Sequence, residues 1–232
     1  SGPETAEDSR THFGIFAPGV TQLFPKGHII NLHPWEHNDV APALAAAFST
    51  DVPIVALHLT RPAIEVPDRE KLGMASHMEA SKGAYLIRDY DERPRDGVVI
   101  VRGTSSTNTV VSILEDISSK YNVKIISAIS WELFDRQTSD YKSSIINSQE
   151  WADSMVITNT GLSVMKNWIA NRVVSDYSLS PDWDNRWRTG GSLEQIIDEA
   201  HLSPRWVMEA INKFVTERVG RLERLKKEIP EK

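Results

Sequence analysis

Apolar residues come in short bursts separated by polar helical stretches, and the bursts set the reading of the whole chain. Residues 28–32 (HIINL) and 53–59 (PIVALHL) are two such bursts rich in β-branched residues, which predicts two strands. Between them an Ala-rich stretch up to Phe48, with Asn38 or Asp39 well typed as its cap, predicts a helix. Strand, helix, strand makes a parallel crossover. Two strands and one helix cannot cover both faces of a sheet, so this part is expected to be the tail of a larger domain. The stretch 62–83 loses periodicity and gathers prolines, glycines and charges, as a linker does.

A second series of bursts follows. Residues 85–87, 98–101, 123–129, 155–158 and 173–176 are expected strands. Val110, Ile113, Leu114 and Ile117 fall on one helical face, so 98–129 reads as a complete βαβ unit. A helix is expected around 164–169. Ser192 and Gln195 form a capping box for a helix to Ala200. Ser203-Pro204 opens the last helix with Ser as cap and Pro in the first turn, and the Lys/Arg/Glu tail after Arg218 reads as a solvated helix end. The fold class is α/β: an incomplete parallel-sheet segment, then a three-layer α/β/α domain with a mostly parallel five-stranded sheet.

Composition narrows the function classes. The 232 residues are 40% hydrophobic and 25% charged, with a net charge of −6, an ordinary globular balance with no basic block for nucleic acid. No apolar run is long enough for a membrane span, and no signal peptide opens the chain. The absence of cysteine removes disulfides and thiolate chemistry and agrees with a cytoplasmic location. The start at Ser1, without Met, reads as a fragment or a processed product.

Three features invite chemistry and have plainer readings. The Gly-Thr-Ser-Ser-Thr run at 103–107 lies between strand and helix, where N–H groups bind phosphate, but it lacks a phosphate-loop pattern and reads as a turn and cap. His33 and His37, four apart, superficially resemble a zinc helix, yet Pro34 and Trp35 break the pattern; no metal site is expected. Trp183, Trp187 and Trp206 read as packing residues, with 183–188 suited to a subunit contact.

Glu7-Asp8-Ser9-Arg10-Thr11-His12 is the stretch with the chemistry of a site. A carboxylate and an imidazole four residues apart on a loop can hydrogen-bond a polyol and move a proton near neutral pH. Three more blocks follow in order: Thr60-Arg61-Pro62, Lys82-Gly83-Ala84-Tyr85, and the strand end Ser130-Trp131-Glu132-Leu133-Phe134-Asp135-Arg136-Gln137. Together they resemble the transketolases, which carry Glu-Asp-Gly-Pro-Thr-His, Ser-Arg-Gln, Lys-Gly-x-Tyr and Trp-Glu-Leu-Phe-Asp in the same order. The likeness weakens after Asp176.

The resemblance implies residues 1–65 as the end of the pyrimidine-binding domain, 66–82 as linker and 83–232 as the transketolase C-terminal domain. It implies transfer of a two-carbon ketol unit between sugar phosphates, with thiamine diphosphate and a divalent metal (Mg or Ca) in the complete enzyme. Asp8 and His12 match catalytic residues that touch substrate oxygens. Arg61 matches an arginine gripping the sugar phosphate, a task suited to a planar fork of donors, with Thr60 beside it. Arg10 and Ser9 replace the usual Gly-Pro and put an extra cation near the substrate; Pro62 replaces Gln. The family's diphosphate and metal motif is missing, so no cofactor is expected on this chain alone. The implied partners are a sugar phosphate, a second copy in a homodimer, and the missing N-terminal region or a separate N-terminal subunit, with no nucleic acid and no membrane. Two other readings are a stand-alone α/β binding or scaffold module and a 2-oxo-acid dehydrogenase β-type subunit, which lacks the Trp-Glu-Leu-Phe-Asp wording.

Overall fold

A computed structural model describes residues 2–7, 12–188 and 190–228. In chain order the elements are α1 (Ala17–Thr21), β1 (Ile29–Leu32), α2 (His37–Phe48), β2 (Ile54–Leu57), β3 (Ala84–Arg88), β4 (Gly97–Arg102), α3 (Thr104–Ser112), α4 (Leu114–Lys120), β5 (Val123–Ala128), α5 (Trp131–Asp135), α6 (Ser139–Ile145), α7 (Ser148–Ala152), β6 (Ser154–Thr158), α8 (Arg172–Tyr177), α9 (Leu193–Glu199), α10 (Pro204–Thr216) and α11 (Arg218–Glu228). Strands β1 and β2 pair in parallel. The main sheet runs β3-β5-β4-β6, with β4 parallel to β5 and β6 and only β3 antiparallel.

The main sheet is buried on both faces. Val99, Val101, Ile125, Met155 and Ile157 point into one cluster with Val110, Ile117, Val207, Ile211 and Phe214 of the helices. Their neighbours Val98, Ile100, Ile126 and Val156 point into the other, with Phe134, Ile145, Trp168 and Val174. This is the period-2 alternation of a strand covered by helices on each side, and it explains why β4 and β5 read as unbroken apolar runs. The three-layer α/β/α reading therefore holds.

Several local expectations change. The cap of α2 is neither Asn38 nor Asp39: Glu36 accepts from the Asn38 N–H at 2.7 Å, while Asp39 turns inward. The apolar stripe from Val110 to Ile117 survives, but the helix breaks into α3 and α4 where Ile113 leaves helical backbone (φ −114°, ψ 19°). Residues 173–176 are helix and not strand. Asn171 accepts from the Val174 N–H at 2.9 Å and caps α8, a polar signal that outweighs the two valines. The main sheet thus has four strands among the described residues, and a fifth position is held only by Leu179, bridged in parallel to Ile157. Around 164–169 there is a 3-10 turn, Leu162–Met165. Ser203 does sit at the cap position of α10, but its hydroxyl donates to Asp198 Oδ1 at 2.6 Å. The tail after Arg218 is helical, yet it is not merely solvated: Arg221 is buried and ion-paired to Asp153. The expectation that β1 and β2 lie uncovered holds for half of the pair. Ile29 and Ile30 of β1 are buried, whereas Ile54 is exposed and Val55 and Leu57 are half-buried.

The two sheets share one core: Ile30, Leu32, Trp35, Ala43 and Ala47 join the cluster under the main sheet. A buried polar knot fastens them. Arg69 reaches Glu36 Oε1 at 2.7 Å and Asp39 Oδ1 at 2.8 Å, and donates to the Tyr85 hydroxyl at 2.9 Å. That hydroxyl donates to Asp39 Oδ2 at 2.9 Å and accepts from the Trp35 indole at 2.7 Å. Two carboxylates share one guanidinium away from water, and burial pushes Asp39 up to about 7.

The sign of the pH effect follows. A carboxyl raised from 3.8 to about 7 favours folding most when both states hold the proton, so its contribution is full below about pH 4 and is lost as pH rises toward 7. Urea unfolding at intervals across that range isolates this contribution as a difference: the stability of the wild type relative to Asp39→Asn should fall as pH rises from about 4 to 7. Arg69→Met leaves both carboxylates without their cation and should cost ~3–5 kcal/mol. A loss below ~1 kcal/mol, within the range of exposed ion pairs, would show that the knot is dispensable.

Candidate functional site

The carboxyl ends of β1, β2, β4, β5 and β6 gather on one side of the molecule, where open α/β sheets place their ligands. His33 follows β1, His58 follows β2, Arg102 ends β4, Ser130 to Glu132 follow β5, and Asn159 and Thr160 follow β6. The start of the chain is folded against this edge. Glu4 is buried and accepts the Ser105 N–H at 2.9 Å and Asn159 Nδ2 at 2.8 Å. The Ser105 N–H at the start of α3 is therefore capped by a distant carboxylate and not, as expected, by the run's own hydroxyls: the Ser106 hydroxyl donates back to the Arg102 and Gly103 carbonyls. Gly103 has φ 94°, and a Cβ there would meet the Asn159 side chain at 1.8 Å, so only glycine fits.

Two of the sequence blocks are fastened to each other here. The Gly83 carbonyl accepts the N–H groups of Ile129 and Ser130, both at 2.8 Å. Gly83 has φ 86°, and a Cβ would meet Phe134 N and Ser130 O at 2.4 Å. Ser130 then caps α5 through the Leu133 N–H. This puts Glu132 against β1, where its carboxylate accepts Asn31 Nδ2 at 3.0 Å and Asn31 N at 3.3 Å. The His33 N–H donates to the Ile129 carbonyl at 2.8 Å, so β1 is stitched to the end of β5 from both sides.

Two imidazoles stack at the centre: His33 and His58 lie with ring centroids 4.4 Å apart and planes 6° apart. Burial, then the nearby Arg102 cation, drives His33 well below its ordinary value and His58 down to about 4. Both are neutral at pH 7. His58 Nε2 lies 3.2 Å from Asn31 Oδ1, which can only accept, so His58 carries its proton on Nε2. Arg102 is buried; its Nη2 donates to Thr160 Oγ1 at 2.9 Å and its Nη1 to the Val164 carbonyl at 3.3 Å.

Of the residues expected from sequence to act, His12 and Arg61 line one cavity of about 420 Å³ together with Thr5, Gly14, Ala17, Leu57, His58 and Leu59. Thr60 is beside it, its Oγ1 buried with no hydrogen-bond partner among the described residues. Thr5 Oγ1 donates to the His12 carbonyl. Asp8 and Arg10 lie outside the described residues. His33 and His37 do not converge: His33 is buried on His58 while His37 is exposed at the start of α2. His58, Asn31 and Arg102 were missed as site residues, although the rule of carboxyl strand ends would have flagged all three.

The family model of the transketolase-like TK C-terminal domain matches residues 83–177. Residues 83–177 thus form a transketolase-like C-terminal domain. The chain is 29% identical over 147 residues to the chloroplastic transketolase of Craterostigma plantagineum, covering 61% of this chain and 26% of that one. Against the chloroplastic transketolase of Zea mays it is 30% identical over 145 residues, with 60% and 20% covered. The fold matches transketolase from Leishmania mexicana with a TM-score of 0.75 at 15% identity, over 94% of this chain and 29% of that one. It also matches a Pichia stipitis transketolase in complex with sedoheptulose-7-phosphate, with a TM-score of 0.71 at 21% identity over 95% and 30%. The chain thus spans about a quarter of the length of these transketolases. The Trp-Glu-Leu-Phe-Asp block and Gly83 and Tyr85 of the Lys-Gly-x-Tyr block fall inside the matched residues, whereas Lys82 and the 7–12 and 60–62 blocks precede them.

The stacked histidines make a testable state. A histidine whose folded value lies below 6.5 stabilises the fold above that pH and loses the contribution as pH falls through the folded value, about 4 for His58. The ring resonances of His33 and His58 should stay unmoved from pH 8 to 5.5 in a proton NMR titration. A midpoint near 6.5 for either would disprove their burial beside Arg102.

Proposed function

We propose that this chain supplies the substrate side of a transketolase-type active site, which moves a two-carbon ketol unit between sugar phosphates. The observation carrying the reading is the single cavity that brings His12 and Arg61 together at the carboxyl end of β2. A guanidinium and an imidazole on one cavity wall are suited to a phosphorylated polyol: Arg61 would grip the phosphate, and His12 would hydrogen-bond a substrate oxygen and hold or release a proton. Asp8, four residues before His12 in the sequence, would take the neighbouring hydroxyl, and Arg10 and Thr60 would contribute to substrate binding. The domain reading remains 1–65, 66–82 and 83–232, in a cytoplasmic enzyme. Among the described residues no helix is long and apolar enough to cross a membrane.

Thiamine diphosphate and its divalent metal belong to this reading only through the rest of the enzyme. The donors here do not suit them: among the described residues no group of three or more His, Asp or Glu side chains is placed to hold a metal ion. In this reading the chain's part is to bind and orient the sugar.

In the complete enzyme, His12→Ala and Asp8→Ala should each lower turnover or raise the KM for the ketose, by ~10²–10⁴-fold in rate for an acid–base group. Cofactor binding should not change, because both would touch substrate alone. Arg61→Ala should weaken phosphorylated sugars far more than unphosphorylated ones, and Arg10→Gly should shift sugar preference without abolishing transfer. Full-rate ketol transfer in both the Asp8 and His12 variants would remove this loop from the active site.

The same reading includes a homodimer. Phe48, Ile54 and Leu59 are exposed apolar side chains on and beside β2, a face of the kind that marks an interface. Sedimentation at micromolar concentration should give a species heavier than the monomer, and Ile54→Glu should shift it toward the monomer. A clean monomer with no hydrophobic-dye binding would count against the dimer.

A further inference from the structure

A second cavity lies apart from the Arg61 cavity. It has a volume of about 450 Å³ and opens between the 22–27 loop and α5; its walls carry the cations Lys26, Arg136 and Lys166 and the acids Glu132 and Asp135. At its inner end is a slot of about 10 Å³ lined by Arg102, His33 and Ser130, room for roughly one water-sized atom. Gln22, Asn31, Trp131, Glu132 and Asn167 line both spaces, so the slot is the floor of the cleft.

The charged groups are not all in the same state. Asp135 is met by Lys26 at 3.3 Å and Lys142 at 3.9 Å, and Glu132 accepts two N–H groups of Asn31 and the Ser130 hydroxyl. The acids are thus occupied. Arg102 is 4% exposed, and the groups it donates to, the Thr160 hydroxyl and the Val164 carbonyl, are neutral. Its Nε has no hydrogen-bond partner among the described residues. A buried guanidinium with an unused N–H and neutral acceptors is costly, and the nearby Glu132 carboxylate, already accepting from Asn31 and Ser130, offsets only part of that cost. An anion would meet both needs. The two imidazoles beside it are neutral and offer no competing negative charge.

We infer that this cleft binds a small oxyanion, a carboxylate or a phosphate ester, with one oxygen in the slot beside Arg102. The rest of the molecule lies in the cleft against the Trp131 ring, within reach of Lys26, Arg136 and Lys166. The slot's size limits the inserted part to a single oxygen, which excludes a bulky or apolar group at the floor. The chemistry shared by both ligand types is the charged oxygen at a guanidinium.

The test titrates the ¹⁵N-labelled full chain with methyl phosphate and, separately, with acetate, following the Trp131 indole and Arg102 Nε–H resonances. Trp131→Phe assigns the former. Saturable shifts of both signals are expected, and the tighter of the two probes names the ligand's acid group. Arg102→Gln should weaken binding ~10-fold or more, the loss of one charge-assisted contact. Glu132→Gln keeps the acceptor for Asn31 and removes a like charge, so it should tighten binding. Should Arg102→Gln fail to fold, Lys166→Gln, an exposed position, should still weaken binding. Non-saturating shifts with both probes would overturn the site, as would an unchanged affinity in the Arg102 and Lys166 variants or weaker binding in Glu132→Gln. An anion confined to the Arg61 cavity would shift the His12 ring and leave Trp131 still, which also overturns it.

Discussion

Arg69 comes from a stretch with no regular periodicity, yet its guanidinium meets Glu36 and Asp39 from the α2 end and Tyr85 from β3. Everything on the ligand edge depends on that contact. It fixes the two-stranded sheet against the main sheet, so that β1 can deliver Asn31 and His33 to the end of β5. A knot of this kind tolerates no partial loss, because each member is satisfied only by the others. It is also a poor source of net stability, since desolvating three charges offsets most of their attraction. Its contribution is position. An apolar plug of the same size would hold the sheets together but would not fix the register of Trp35, Asp39 and Tyr85.

From that register the edge follows residue by residue. Gly83 is the hinge point between the blocks: its carbonyl takes two N–H groups from the end of β5, and its positive φ leaves no room for a side chain. That turn sends α5 back so that Glu132 caps the β1 backbone at Asn31. The wording Trp-Glu-Leu-Phe-Asp is then explained without catalysis. Trp131 packs edge-on against Trp168 at 5.2 Å, Leu133 and Phe134 enter the core, Glu132 bonds across to β1, and Asp135 meets Lys26.

Much of this was legible in the sequence, and the failures have common causes. Short apolar runs gave β4, β5 and β6 almost to the residue, because strands buried on both faces have little freedom of composition. The capping box of Ser192 and Gln195 was found because both partners are local. What was not legible was non-local. Asp39 looks like a helix cap until Arg69, thirty residues on, draws it inward. The valines at 173 and 174 look like strand until Asn171 caps a helix over them. Arg221 looks like solvated tail until Asp153 accepts it. His12 and Arg61 were selected by motif, and the cavity they share is independent of that wording. His58 and Arg102 have no motif; only their place at strand ends marks them.

The two cavities divide the edge by charge, and the division has a physical source. Strand ends bring backbone N–H groups and the last side chain of each strand to the same side. In β4 that side chain is Arg102, inside the molecule; beyond β2 it is Arg61, at the surface. Arg61 is exposed to water, whereas Arg102 is buried and held by a hydroxyl and a carbonyl. A cation's attraction for an anion grows as the local dielectric falls, and so does the cost of leaving it unpaired. The exposed guanidinium therefore suits a substrate that must come and go, and the buried one suits a ligand that stays.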